Sequence, residues 1–156
     1  MKRFLYWLWR ILPLPMMIRS PILWAGNRKF VIGIAALIQN DQGEILLFKH
    51  SYRKDVPWGF PGGYLKRGED PDEAIKREIH EESGFKIMNL KLLEIIRSHE
   101  MERLEILFQA ELSDDSTFIP SIEVAEAQFF ALDSLPEMLP EHFAILERHI
   151  LHTTEK

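Results

Sequence analysis

"GGYLKRGEDPDEAIKREIHEESGF", residues 62–85, decides how the rest of the chain is read. It sets seven acidic residues among five basic or imidazole-bearing ones, with glycines near both ends. Asp70 has the character of an N-cap, Pro71 suits the first helical position, and Glu73 stands where a capping box would close. Gly84 supplies a left-handed stop, so the spacing predicts a helix over 71–83. Ile75 and Ile79 mark its core-facing stripe. The next position on that stripe is Glu82. A buried carboxylate without a partner costs on the order of several kcal/mol or changes its pKa, so a purely structural helix would carry an apolar residue there.

Glu78 and Glu81 lie beside Glu82 on the same side of the helix. Three like charges so placed repel one another, and Arg77 is expected to neutralise one of them but not all three. A divalent cation is the better counter-ion, and all-oxygen ligation selects Mg²⁺ or Mn²⁺ over zinc. His80 falls on the outer side and reads as a surface residue, a lone imidazole being weak evidence of a metal. A solvated acidic face is the ordinary meaning of a charge run. It accounts for Asp72 and Glu73 near the positive end of the helix dipole, but not for Glu82.

Outward from this helix, 29–39 ("KFVIGIAALIQ") reads as a long buried strand. Residues 40–43 read as a turn and 44–50 as the returning hairpin partner. Residues 51–63 hold two prolines and three glycines and read as loop. Residues 88–99 and 103–112 are expected to form two antiparallel strands, 127–132 a short strand, and Pro140 to Leu151 a closing helix with Phe143, Leu146 and Ile150 on one side. Strands with one internal and one terminal helix imply an α/β (α+β) sandwich with a mixed β-sheet.

The chain has 156 residues, enough for one domain with a core. The absence of cysteine excludes disulfides, thiolate metal sites and cysteine nucleophiles, and fits a cytoplasmic setting. Residues 1–40 carry six basic side chains and no acid, so a net −5 overall leaves −11 on the remainder. So acidic a body argues against duplex nucleic acid as the main ligand. Residues 1–26 form a basic, aromatic-rich N-terminal arm, and 27–156 the domain proper. Arg10, Pro13 and Pro15 interrupt the arm's apolar run, which fits neither a signal peptide nor a bilayer span of about 20 residues. Two readings stay open for it: packing on the domain or on a second subunit of a homodimer, or peripheral membrane contact through Trp7, Trp9 and Trp24.

From Gly63 the opening stretch reads G-(YLKRG)-E-(DPDEAIK)-R-E-I-H-E-E-S-G-F. It resembles the Nudix box, G-x5-E-x7-R-E-U-x-E-E-x-G-U, at every fixed position, and the resemblance extends over the chain from residue 27 onward. The Nudix hydrolase family implies an α/β/α sandwich and Mg²⁺- or Mn²⁺-dependent hydrolysis of the diphosphate linkage in a nucleoside diphosphate joined to another moiety. Carried over by motif position, Glu78 and Glu82 would ligate metal, and Glu81 would ligate or activate water. The Gly62 carbonyl would be a further ligand, Arg77 would orient the glutamates, and Glu69 would hold the loop to the helix. Such chemistry suits the residues, because a diphosphate concentrates negative charge that metal ions must bridge.

Specificity lies outside the box. Lys49, His50, Arg53 and Lys54 form a basic patch that could meet phosphates, with Arg53 the substrate-binding candidate. Trp58 and Phe60 either stack on a base or pack the loop on the core. Family members often keep an additional glutamate near the final strand, for which Glu126 is preferred over Glu123. Some subfamilies carry a proline (ADP-ribose enzymes) or a tyrosine (dinucleoside polyphosphate enzymes) about sixteen residues after the box. Residues 86–105 contain neither, which leaves nucleoside triphosphates, NDP-sugars and related nucleotides open. A competing class is a Nudix-fold sensor that binds a nucleotide or ADP-ribose and regulates a partner. The intact set of Arg77, Glu78, Glu81 and Glu82 favours catalysis over sensing.

Overall fold

Strand β1 (Val31–Ile38) sends alternate side chains to opposite faces, and both faces are buried. In a computed structural model of the chain, which describes residues 30–98 and 103–150, this period of two sorts the core into two layers. Ile34, Ala36 and Ile38 join one cluster and Ala35 and Leu37 the other. Strand β2 (Ile45–His50) divides likewise, Leu46 and Phe48 to the first and Ile45 and Leu47 to the second. Helix α1 (Pro71–Ser83) closes the first cluster through Ala74, Ile75 and Ile79. Helix α2 (Pro140–His149) closes the second through Ile145 and Leu146. The result is a sheet layer covered by a helix on each side, the predicted α/β/α arrangement.

The remaining strands are β3 (Trp58–Gly59), β4 (Gly62–Tyr64), β5 (Ile87–Ser98), β6 (Arg103–Leu112) and β7 (Val124–Phe130). One sheet runs β4-β1-β6-β5 and the other β3-β2-β7. The first is mixed: β1 and β6 are parallel over their length, while β4 on β1 and β5 on β6 are antiparallel. The expected hairpin of β1 and β2 does not form as a ladder. The 40–43 turn is tight, with the Asn40 side-chain carbonyl accepting the N–H groups of Gln42 and Glu44. Only a single bridge, Gln39 to Ile45, joins the two strands, and the chain passes into the second sheet. Apolar patterning cannot distinguish these outcomes, because both bury the same residues.

Helix α1 has the predicted bounds and ends on Gly84 at φ 71°. The capping box is not made. Backbone N–H groups of Glu73 and Ala74 donate to the Asp70 carbonyl, and the Glu73 carboxylate pairs instead with Lys76 at 2.8 Å. Strand β7 begins three residues before the predicted strand. On α2, Phe143 is 39% exposed, and Ile145 takes the buried position that the sequence reading gave to Phe143. The predicted arm, 1–26, lies outside the described residues. No described helix is long and apolar enough to cross a membrane.

Candidate active site

Strand β4 presents Gly62 and Gly63 against Ala35 and Ile34 of β1. The close pairing requires glycine: a Cβ on Gly62 would collide with the Ile34 carbonyl and Ala35 Cα. A Cβ on Gly63 would stand 2.5 Å from the Glu78 carboxylate, so that carboxylate lies directly over the glycine backbone. The helix face carrying the box glutamates is thereby set against the strand that carries the glycines.

Arg77 organises this junction. Its Nε and Nη2 donate to the two oxygens of Glu69, at 2.7 and 3.0 Å, in a bidentate fork. Its Nη1 donates to Glu78 at 2.6 Å and to Glu81 at 3.2 Å, and Nη2 also reaches the Tyr64 carbonyl at 3.3 Å. Arg77 therefore does more than the single neutralisation expected of it, joining the loop at Glu69, the strand at Tyr64 and two of the three helix carboxylates. Glu69 also accepts the Lys66 backbone N–H, and its carboxyl is held down at about 2, chiefly by the Arg77 hydrogen bond.

Glu82 is left out of that network. It is 7% exposed, and its Oε2 is buried with no hydrogen-bond partner. Burial, with the charges of Glu78 and Glu123 next, pushes its carboxyl up to about 8. Glu123 comes within electrostatic range because Ser51 ties its segment down: the Ser51 N–H donates to the Glu123 carbonyl at 2.9 Å, and Oγ bonds the Ile122 carbonyl. Glu126 is placed differently, on β7 opposite Lys49 of β2, to which it is paired at 2.7 Å. Glu81 is more than half exposed at the rim, within 3.8 Å of Lys66 as well.

Among the described residues, no three acidic or imidazole side chains converge closely enough to enclose a cation as they stand. The donor set nevertheless fits one. Glu82 holds an orphaned buried oxygen, Glu78 lies over the Gly63 backbone, and all the donors are oxygen, the choice of a hard divalent ion.

Beside the glycines lies a pocket of about 60 Å³ lined by His50, Arg53, Gly62, Gly63, Arg103 and His142, among others. It adjoins a cavity of about 400 Å³ under α2, with which it shares Ala35, Phe60, Arg103, Glu105 and His142. Of the two aromatic candidates, Phe60 borders both spaces and packs 4.6 Å from the His142 ring. Trp58 borders neither. It packs edge-on against Phe130 at 4.9 Å and lies under the Lys49 ammonium.

Sequence reasoning missed Arg103, Glu105 and His142. Gly33 was the available signal for the first two: a glycine inside a strand marks a close approach. Arg103 and Glu105 pair over it, where a Cβ would collide with the Glu105 carboxylate. Nothing in the sequence marks His142.

The family model of the NUDIX domain matches residues 29–152. YjhB of Bacillus subtilis (strain 168) is 31% identical over 129 residues, covering 76% of this chain and 60% of that protein. The NAD-capped RNA hydrolase NudC of Escherichia coli is 30% identical over 120 residues, 77% of this chain and 46% of NudC. The chain thus spans roughly half the length of these curated relatives. Among solved structures, a MutT NUDIX hydrolase from Burkholderia pseudomallei is 26% identical with a TM-score of 0.67, covering 78% of this chain and 99% of that one. With the box residues clustered on α1 and β4 in a helix-covered double sheet and a family match over most of its length, the chain belongs to the NUDIX domain family.

Proposed function

We propose that this chain is a divalent-metal-dependent hydrolase that cleaves the diphosphate linkage of a nucleoside diphosphate joined to another moiety, such as a nucleoside triphosphate or an NDP-sugar. The observation that carries this reading is Glu82. It is a carboxylate on the core stripe of its own helix, with an unpartnered buried oxygen, next to Glu78 and to a glycine strand open to a basic pocket. A structural role gives no reason to keep it, and a cation does.

Glu78 and Glu82, with the Gly62 carbonyl and Glu81, would hold the Mg²⁺ or Mn²⁺. When bound, that ion would polarise a phosphoryl oxygen and lower the pKa of a water ligand. Arg77 fixes Glu78 and Glu81 by its hydrogen bonds, so their orientation is set before substrate arrives. Glu81, at the rim, has the exposure to accept the proton lost by the attacking water. Gly62 and Gly63 let a phosphate approach the backbone, and Arg53 and Arg103 border the space it would enter. The kinship with NudC, named as a hydrolase of NAD-capped RNA, supports a nucleotide as ligand.

The test is a panel of nucleoside triphosphates, NDP-sugars, ADP-ribose, CDP-alcohols and dinucleoside polyphosphates with Mg²⁺ or Mn²⁺ and with chelator. Metal-dependent phosphate or nucleotide release from at least one is expected, and no turnover by folded protein across the panel contradicts the reading. A Gly63→Ala variant should lose about tenfold or more in kcat on the same substrate. The added methyl displaces the Glu78 carboxylate, a flexible side chain that can yield without unfolding the strand. Steady-state kinetics beside a melting curve would check both parts.

A further inference from the structure

Four buried nitrogens without a hydrogen-bond partner occupy one region outside the carboxylate cluster: both ring nitrogens of His50, Nη1 of Arg53 and Nδ1 of His142. His50 is 3% exposed at the end of β2, where the pairing with β7 shifts register between Lys49 and His50. The Arg53 N–H donates to the His50 carbonyl at 3.3 Å, and the His50 N–H donates to the Pro57 carbonyl at 2.8 Å. The loop is thus closed on itself, with Arg53 folded back over the strand end. Gly59 makes room for the group: a Cβ there would lie 3.0 Å from both Arg53 Nη1 and His142 Cε1. His142 comes from the first turn of α2 and is held by its ring contact with Phe60. Burial, and next the charge of Arg53, hold both imidazoles down at about 4, so each is neutral near pH 7 and keeps one N–H to donate.

Buried polar atoms are normally satisfied, and so many orphans around one small space call for a ligand that accepts several hydrogen bonds and carries negative charge. Gly62 and Gly63 border the same space, so a group seated in it would lie beside the backbone that faces Glu78. We propose that His50, Arg53 and His142 form an anion cradle for the phosphate of the diphosphate that lies away from the box carboxylates. Arg53 supplies the charge, the Arg103 guanidinium of the same pocket being already paired with Glu105, and the imidazoles supply neutral donors fixed in direction. Naming the anion as part of a diphosphate rests on the function proposed above; the cradle itself does not.

Isothermal titration of the full chain with inorganic pyrophosphate, in chelator so that no divalent metal contributes, separates the two. Wild-type protein is expected to bind. Arg53→Met should weaken binding at least about tenfold, and His142→Phe, which keeps the ring against Phe60, severalfold. Melting curves confirm that both variants fold, and His50→Gln serves as a third if either does not. Wild-type affinity unchanged in folded variants, or no pyrophosphate binding by wild-type protein, overturns the cradle whatever the substrate panel shows. Binding that the variants lose, with no nucleotide turned over, would sustain the cradle while the hydrolase reading fails.

Discussion

Glu82→Gln should lose at least about 10²-fold in kcat while folding normally. The substitution removes one oxygen's charge and retains the shape of the side chain, and Glu82 makes no hydrogen bond that glutamine would forfeit at Oε2. In a protein free of metal the same change should stabilise the fold. Folded Glu82 keeps its proton up to about pH 8, whereas in the unfolded chain it loses it near 4.5. Between these values the folded state binds more protons than the unfolded one, so stability falls as pH rises through that window, and the loss is complete above it. The drop is on the order of a few kcal/mol. Denaturant titrations in chelator on either side of the window should show the wild-type decline flattened in the variant. A near-normal kcat in folded Glu82→Gln would remove the residue from the metal site.

Arg77→Lys should be the second most damaging change, with a loss of about 10- to 10²-fold in kcat and about 2 kcal/mol of stability. Lysine keeps the charge, but it cannot reproduce the fork to Glu69 and reach Glu78, Glu81 and the Tyr64 carbonyl as well. Glu78 and Glu69 are each less than a fifth exposed, so losing the guanidinium leaves both carboxylates short of a partner. Denaturation curves and steady-state rates measured together would show both losses. A lysine variant matching wild type in both would mean that Arg77 is ornamental to the site.

The helix that carries the box glutamates was the most legible part of the sequence, because each of its signals is local. Pro71, the Ile75 and Ile79 stripe and Gly84 act within one or two turns, and α1 spans 71–83 as read. Glu82 was legible as an exception to that stripe, and the structure buries it. With one local exception, the capping box, what failed depended on partners distant in sequence. The strand at 45–50 was visible, but its pairing with β3 and β7 rather than β1 is decided by the two-sheet arrangement. The Asp70 cap was visible, but Glu73 found Lys76 instead of closing the box. Arg53 could be nominated from its position before the box. That His142 stands next to it, 89 residues later in the chain, follows only from the docking of α2.

The proposed activity depends on a cation held by Glu78 and Glu82, and titration with Mn²⁺ followed by water-proton relaxation tests that most directly. Wild-type protein should bind Mn²⁺ saturably, with Mg²⁺ competing, and Glu82→Gln should bind it at least about tenfold more weakly. Identical isotherms for the two proteins, or no saturable binding by the wild type, would contradict it.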